Sequence, residues 1–157
     1  MKKRLTRSLI LIFALVTVLL RVPGQRAAAA ALKQGSSRAE VKRLQQNLIG
    51  LGFLEGTADG RFGAMTAAAV ADFQAEYGLG VDGKAGQATQ TAVRNAVIRL
   101  QVDVNKLGYA TGSADGSYGA KTRAAVSEFQ SDRGLKATGV MDAAAWGKLN
   151  ALSGGIR

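Results

Sequence analysis

Apolar residues recur at helical steps along most of this chain. Val41, Leu44, Leu48 and Leu51 advance by 3, 4 and 3, which places them on one face of a helix. Ser37, with Glu40 three residues on, reads as a capping box opening that helix. A second helix is predicted from about Gly63 to Tyr77, with Val70, Phe73 and Tyr77 on its stripe. A third begins near Gly86. From Gln87 to Leu107 there is no Gly or Pro, and Val93, Val97, Leu100, Val104 and Leu107 keep the helical step. A continuous or slightly kinked helix without a flexible linker is therefore expected there. Near the end, Asp142 is a good N-cap ahead of Ala143-Ala144-Ala145-Trp146.

The helix ends are marked as clearly. Gly52-Phe53, Gly78-Leu79, Gly108-Tyr109 and Gly134-Leu135 each place a glycine and then a large apolar residue after a helical run. Glycine suits the left-handed position past the last turn, and the next side chain folds back on the helix. These eight residues are read as structural.

An offset of 56 residues lays Val41–Val93 on Val97–Leu149 without a gap, and 22 of the 53 pairs are identical. The chain thus carries a duplicated unit of three predicted helices. Positions 88–93, which match the lead-in of copy one, already belong to its third helix. The expectation is an all-α fold of two tandem three-helix modules, 32–94 and 95–157, packed as one rigid body. Either copy alone would bury too little surface for comfortable stability.

The N-terminal pattern differs. Lys2, Lys3, Arg4 and Arg7 precede an almost wholly apolar run from Ser8 to Leu20. Five alanines follow, Ala27 to Ala31. This is the layout of a secretory signal peptide over residues 1–31, and its apolar run is shorter than the ~20 residues of a membrane span. Arg21 and Arg26 are unusual near a cleavage site, so a retained anchor is the alternative reading. Both put the remainder outside the cytoplasm, in the periplasm, the cell envelope or the medium.

Composition narrows the chemistry. There are no Cys and no His, so disulfides, thiolate metal sites and Ser/His or Cys/His catalysis are excluded. The formal charge is +10, but from Leu32 onward 15 basic residues face 11 acidic ones. That modest excess, without a basic cluster, argues against a nucleic-acid partner. Neither metal nor cofactor is expected, and no carboxylate pair favours catalysis.

One phrase occurs in both copies: Ala58-Asp59-Gly60-Arg61-Phe62-Gly63-Ala64-Met65-Thr66 and Ala114-Asp115-Gly116-Ser117-Tyr118-Gly119-Ala120-Lys121-Thr122. Asp-Gly is turn chemistry, and the Thr hydroxyl is placed to reach back toward the Asp carboxylate. The plain reading is a staple between loop and helix with its aromatic in the core. The alternative is that the staple also shapes a ligand groove.

With Val41, Leu44 and Gln45, then Leu51-Gly52-Phe53, Asp59-Gly60, Phe62-Gly63, Thr66, Val70, Phe73-Gln74, Gly78-Leu79 and Asp82-Gly83, the order and spacing resemble the three-helix peptidoglycan-binding domain family. Copy two repeats the resemblance through Val97, Leu100-Gln101, Asp115-Gly116, Tyr118-Gly119, Thr122, Val126, Phe129-Gln130, Gly134-Leu135 and Thr138-Gly139. Ala64 and Ala120 stand where the family often has Pro. Trp146 matches the family's third-helix Trp, whereas copy one has Gln90 there. The resemblance implies a non-catalytic, exported peptidoglycan binder that localises or regulates a separate wall hydrolase; an envelope protein-interaction module of the same fold is the alternative. Sugar faces stack on aromatic rings, and carboxylates pair with Arg or Lys. The candidate ligand-binding residues are therefore Asp59, Arg61, Phe62, Tyr109, Asp115, Tyr118, Lys121 and Arg123. The tyrosine hydroxyls of copy two are expected to reach solvent or a polar neighbour. Tyr77 and Trp146 are read as core.

Overall fold

In the computed structural model, residues 31–33, 36 and 38–153 are described. The leader expected over 1–31 lies, but for Ala31, outside the described residues, as does Ser37. Five helices follow in order: α1 Arg38–Leu51, α2 Ala64–Glu76, α3 Gln87–Lys106, α4 Ala120–Asp132 and α5 Ala143–Leu152. No strand occurs among the described residues. A single antiparallel bridge joins Leu32 to Ala85 and ties the lead-in to the loop before α3.

Five helices serve two three-helix units because α3 belongs to both. It closes copy one and opens copy two as an uninterrupted run of 20 residues, as its pattern predicts. One buried cluster extends through both copies. Val41, Leu48, Val70 and Phe73 lie in its first half and Val97, Leu100, Val126 and Phe129 in its second.

The four glycine stops form as expected. At the end of α1, Gly52 adopts φ +87°. Its N–H donates to Ile49 O at 3.0 Å, and the Phe53 N–H reaches Leu48 O at 2.8 Å. This crossed pair satisfies carbonyls that the helix end leaves open. The same pair of bonds recurs at Gly78-Leu79, Gly108-Tyr109 and Gly134-Leu135. Asp142 caps α5 by accepting from the Ala145 N–H at 2.8 Å.

Between helices the structure shows a device that the 56-residue repeat conceals. A buried glutamine on each of the first four helices grips the loop that leads into the next. In α1, the Gln45 amide donates to Asp59 Oδ1 at 2.9 Å, Arg61 O at 3.1 Å and Thr66 Oγ1 at 3.1 Å. Its carbonyl accepts from Gly60 N at 2.8 Å. Gln74 does the same for Asp82, Lys84, Thr89 and Gly83. Gln101 does so for Asp115, Ser117, Thr122 and Gly116. Gln130 holds Thr138, Val140 and Gly139.

The expected Asp–Thr closure is thus corrected: the glutamine amide stands between the two side chains and bonds to both. The phrase D-G-x-x-G-x-x-T also occurs a third time, at Asp82–Thr89. Each module is itself two variants of one helix-and-loop unit.

The copies meet at the C-terminal turns of α1. Asn47 donates to Gly116 O at 3.1 Å and accepts from Tyr118 N at 2.8 Å. Gly50 O accepts from Met141 N at 2.9 Å. The Trp146 indole donates to Leu51 O at 3.3 Å. These bonds, with the shared helix, make the pair one body.

Candidate functional site

The repeated loops carry most of the candidate residues, and the clamps decide which of them a ligand can reach. Phe62, Tyr109 and Tyr118 are buried. The Tyr118 hydroxyl donates to Gly139 O at 2.9 Å, and that of Tyr109 to Asp132 Oδ2 at 3.0 Å. Both phenols find the polar neighbour expected of them, but inside the fold. Burial pushes the Tyr118 phenol well above its ordinary pKa. These three rings hold loops against helices and offer no open face. Trp146 is half-buried against the core, as read, whereas Tyr77 is exposed. Its ring nonetheless stacks on Phe73, with centroids 4.1 Å apart.

Asp59 and Asp115 face solvent but are committed to their turns. Asp59 accepts from the Arg61 N–H at 2.8 Å, and Asp115 from the Ser117 N–H at 2.8 Å. Those backbone bonds, followed by the Gln45 and Gln101 amides, hold each carboxyl below its ordinary value. The third turn behaves alike: Gln74, then the Lys84 N–H, lowers Asp82.

Beside the copy-two loop lies a polar cavity of about 180 Å³. Asp115 and Lys121 line it with Thr111, Ser113 and Ser117, and with Gln101 and Thr122 of the clamp. Copy one carries bulkier residues at three of these places, Glu55 for Thr111, Thr57 for Ser113 and Arg61 for Ser117, and it has the uncharged Met65 for Lys121. Arg61 is therefore an exposed cation on the other loop. Arg123 does not line the cavity. Its stem and carbonyl crowd Gly139, leaving no room there for a Cβ.

A second and larger hollow, about 330 Å³, runs between α1 and α3 and is closed by Gly116 and Ser117 of copy two. None of the candidate residues lines it. Glu40, Arg43, Gln46 and Asn47 form one wall, and Gln87, Gln90, Thr91 and Arg94 the other. A signal for it exists in the sequence. At the 56-residue offset, Gln46, Gln90, Thr91 and Arg94 are replaced by Val102, Trp146, Gly147 and Asn150. Among the described residues, no group of three or more His, Cys, Asp or Glu side chains is placed to hold a metal ion. No described helix is long and apolar enough to cross a membrane.

Comparison with known proteins agrees with the repeat. The family described as "Putative peptidoglycan binding domain" matches residues 37–93 and again 93–149. The chain is 32% identical over 141 residues to the N-acetylmuramoyl-L-alanine amidase CwlM of Mycobacterium tuberculosis, using 70% of this chain and 35% of that protein. It is 43% identical over 77 residues to the zinc D-Ala-D-Ala carboxypeptidase of Streptomyces albus G, using 46% of this chain and 28% of the other. With the spore cortex-lytic enzyme of Oceanobacillus iheyensis it shares 44% over 59 residues, 38% of this chain and 21% of that enzyme. The chain thus spans about a third or less of each of these relatives. No solved structure gives a significant match.

Proposed function

The chain belongs to the peptidoglycan-binding domain family, and on that premise we propose that it is an exported, non-catalytic binder of the bacterial cell wall. Its work is to place itself, or a separate wall hydrolase, on peptidoglycan. The observation that carries this reading is the occurrence of two family units, at 37–93 and 93–149, folded about one repeated clamp. Support comes also from the relatives, whose names are those of an amidase, a carboxypeptidase and a cortex-lytic enzyme. Those enzymes share with this chain a stretch much shorter than themselves.

Arg61, Lys121 and Arg123 are exposed, and as cations they suit the free carboxylates of the wall. They are the proposed contacts on the loop faces, with Asp59 and Asp115 holding the turns that carry them. Purified protein is mixed with insoluble sacculi and sedimented. The chain is expected in the pellet, with partial release when Lys121 and Arg123 are both changed to Ala. No increase in reducing ends or free amines is expected during incubation. Recovery of the wild type in the supernatant would refute the binding reading, and released fragments would refute the non-catalytic one.

A further inference from the structure

The hollow between α1 and α3 is larger than the cavity beside the copy-two loop, and copy two closes one end of it with Gly116 and Ser117. Asn47 pins that end by bonding to both Gly116 O and Tyr118 N, so the groove is built before any ligand arrives. Its volume, about 330 Å³, is at the lower edge of small-molecule sites. Arg43 on α1 and Arg94 on α3 line the hollow together with Gln46, Gln87 and Thr91, the Gln90 amide there donates to Ala85 O at 2.7 Å, and Glu40 is the single carboxylate of the lining.

Arg43 recurs in copy two as Arg99, but the fold does not require most of the other polar residues of the lining. At the matching places of copy two, Val102, Trp146, Gly147 and Asn150 stand for Gln46, Gln90, Thr91 and Arg94. Trp146 there turns to the inter-copy seam and donates to Leu51 O. Copy one thus keeps amides and a guanidinium on a surface that copy two uses otherwise.

Resting on the wall-binding reading, we infer that this groove is a binding site for a short peptide with a free carboxylate, the stem of peptidoglycan rather than its glycan strand. A guanidinium pairs with a carboxylate in a forked, charge-assisted geometry, and side-chain amides match peptide N–H and C=O groups. The apolar faces of a glycan strand stack well on aromatic rings. The groove has no aromatic lining residue.

The test uses the purified full chain and three probes followed by NMR titration. These are a synthetic stem tetrapeptide with a free C-terminus, its C-terminal amide, and glycan strands stripped of stems by an amidase. The free stem is expected to shift α1 and α3 resonances. Affinity should fall by about tenfold or more on amidation. It should fall similarly in Arg43→Gln, and hold in Arg99→Gln, the matching change in copy two. Equal affinity for stripped glycan, or an Arg43→Gln variant that binds as wild type, would overturn the inference. Arg94→Gln is a second variant, and its urea midpoint is checked because Arg94 also touches Asp115 O. Sacculus retention separates the two levels. If sacculi retain the chain while free stems leave the spectrum unmoved, this inference fails and the wall-binding reading stands. If sacculi do not retain it, the wall-binding reading itself fails.

Discussion

Gly50 lies inside α1 with no unusual backbone angle, so its worth is spatial. A Cβ there would come within 3.0 Å of three carbons of the Tyr118 ring, Cγ, Cδ1 and Cδ2, a separation real Cβ atoms essentially never show. The ring cannot simply retreat. Its hydroxyl is bound to Gly139 O at 2.9 Å and its backbone N–H to Asn47 at 2.8 Å. Overpacking of this sort costs about 1–3 kcal/mol, and a pinned ring points to the upper end, roughly 3 kcal/mol. Against that, alanine is favoured over glycine within a helix by about 1 kcal/mol. Gly50→Ala should therefore destabilise by about 2 kcal/mol. Tyr118→Ala alone should cost about 3–5 kcal/mol, because it empties a buried site. In the Tyr118→Ala background, Gly50→Ala should become stabilising by about 1 kcal/mol, a coupling of roughly 3 kcal/mol. Urea unfolding followed by Trp146 fluorescence reads all four proteins, since this sole tryptophan sits on the seam between copies. If Gly50→Ala still costs about 2 kcal/mol without the Tyr118 ring, contact between the copies is not its cause and the reasoning is wrong.

Replacing Gln101 by Leu should cost roughly 3 kcal/mol, because Gly116 N, Ser117 O and Thr122 lose a shared partner in a buried site; a urea midpoint matching wild type would refute the clamp's importance. Acid stability should depend on the three Asp-containing turns. Asp59, Asp82 and Asp115 are depressed in the folded state, so their stabilisation is complete above the ordinary value of 3.8. It drains as pH falls from there through the lower folded values. Asp→Asn at all three positions should flatten that acid limb in thermal melts between pH 2 and 5. The fourth loop, with Thr138, should contribute nothing to it.

Helices, stops and the shared α3 were legible because each rests on local chemistry. Gly52-Phe53 needs only the turn before it, and the run from Gln87 to Leu107 lacks any residue that breaks a helix. The clamps were not legible in the same way. Gln45 and Gln101 lie mid-helix, where glutamine is ordinarily a solvent residue, and their partners lie 14 to 21 positions away. The third copy of the phrase escaped because the 56-residue offset sets Asp82 against Thr138. The candidate site suffered more. Tyr109 and Tyr118 differ from Phe53 and Phe62 by a hydroxyl that suggested a wet surface. The carboxylate and carbonyl that receive those hydroxyls, Asp132 and Gly139, are contributed by later elements. Asp115 and Lys121 do share a cavity, which the loop's turn chemistry foreshadows.

The helix common to both copies also sets a phase. Each residue in α3 turns whatever follows it by about 100° and advances it about 1.5 Å. Inserting or deleting one residue in the middle of α3 would swing Tyr118, Met141 and Trp146 away from Asn47, Gly50 and Leu51. Every residue of each copy could remain unchanged and the seam would still be lost. The exposed loop residues Glu55, Gly56 and Thr57 carry no such angular constraint. The seam therefore fixes the length of α3 as well as its residues, and a library of single-residue insertions should find the middle of that helix less forgiving than the exposed loop positions.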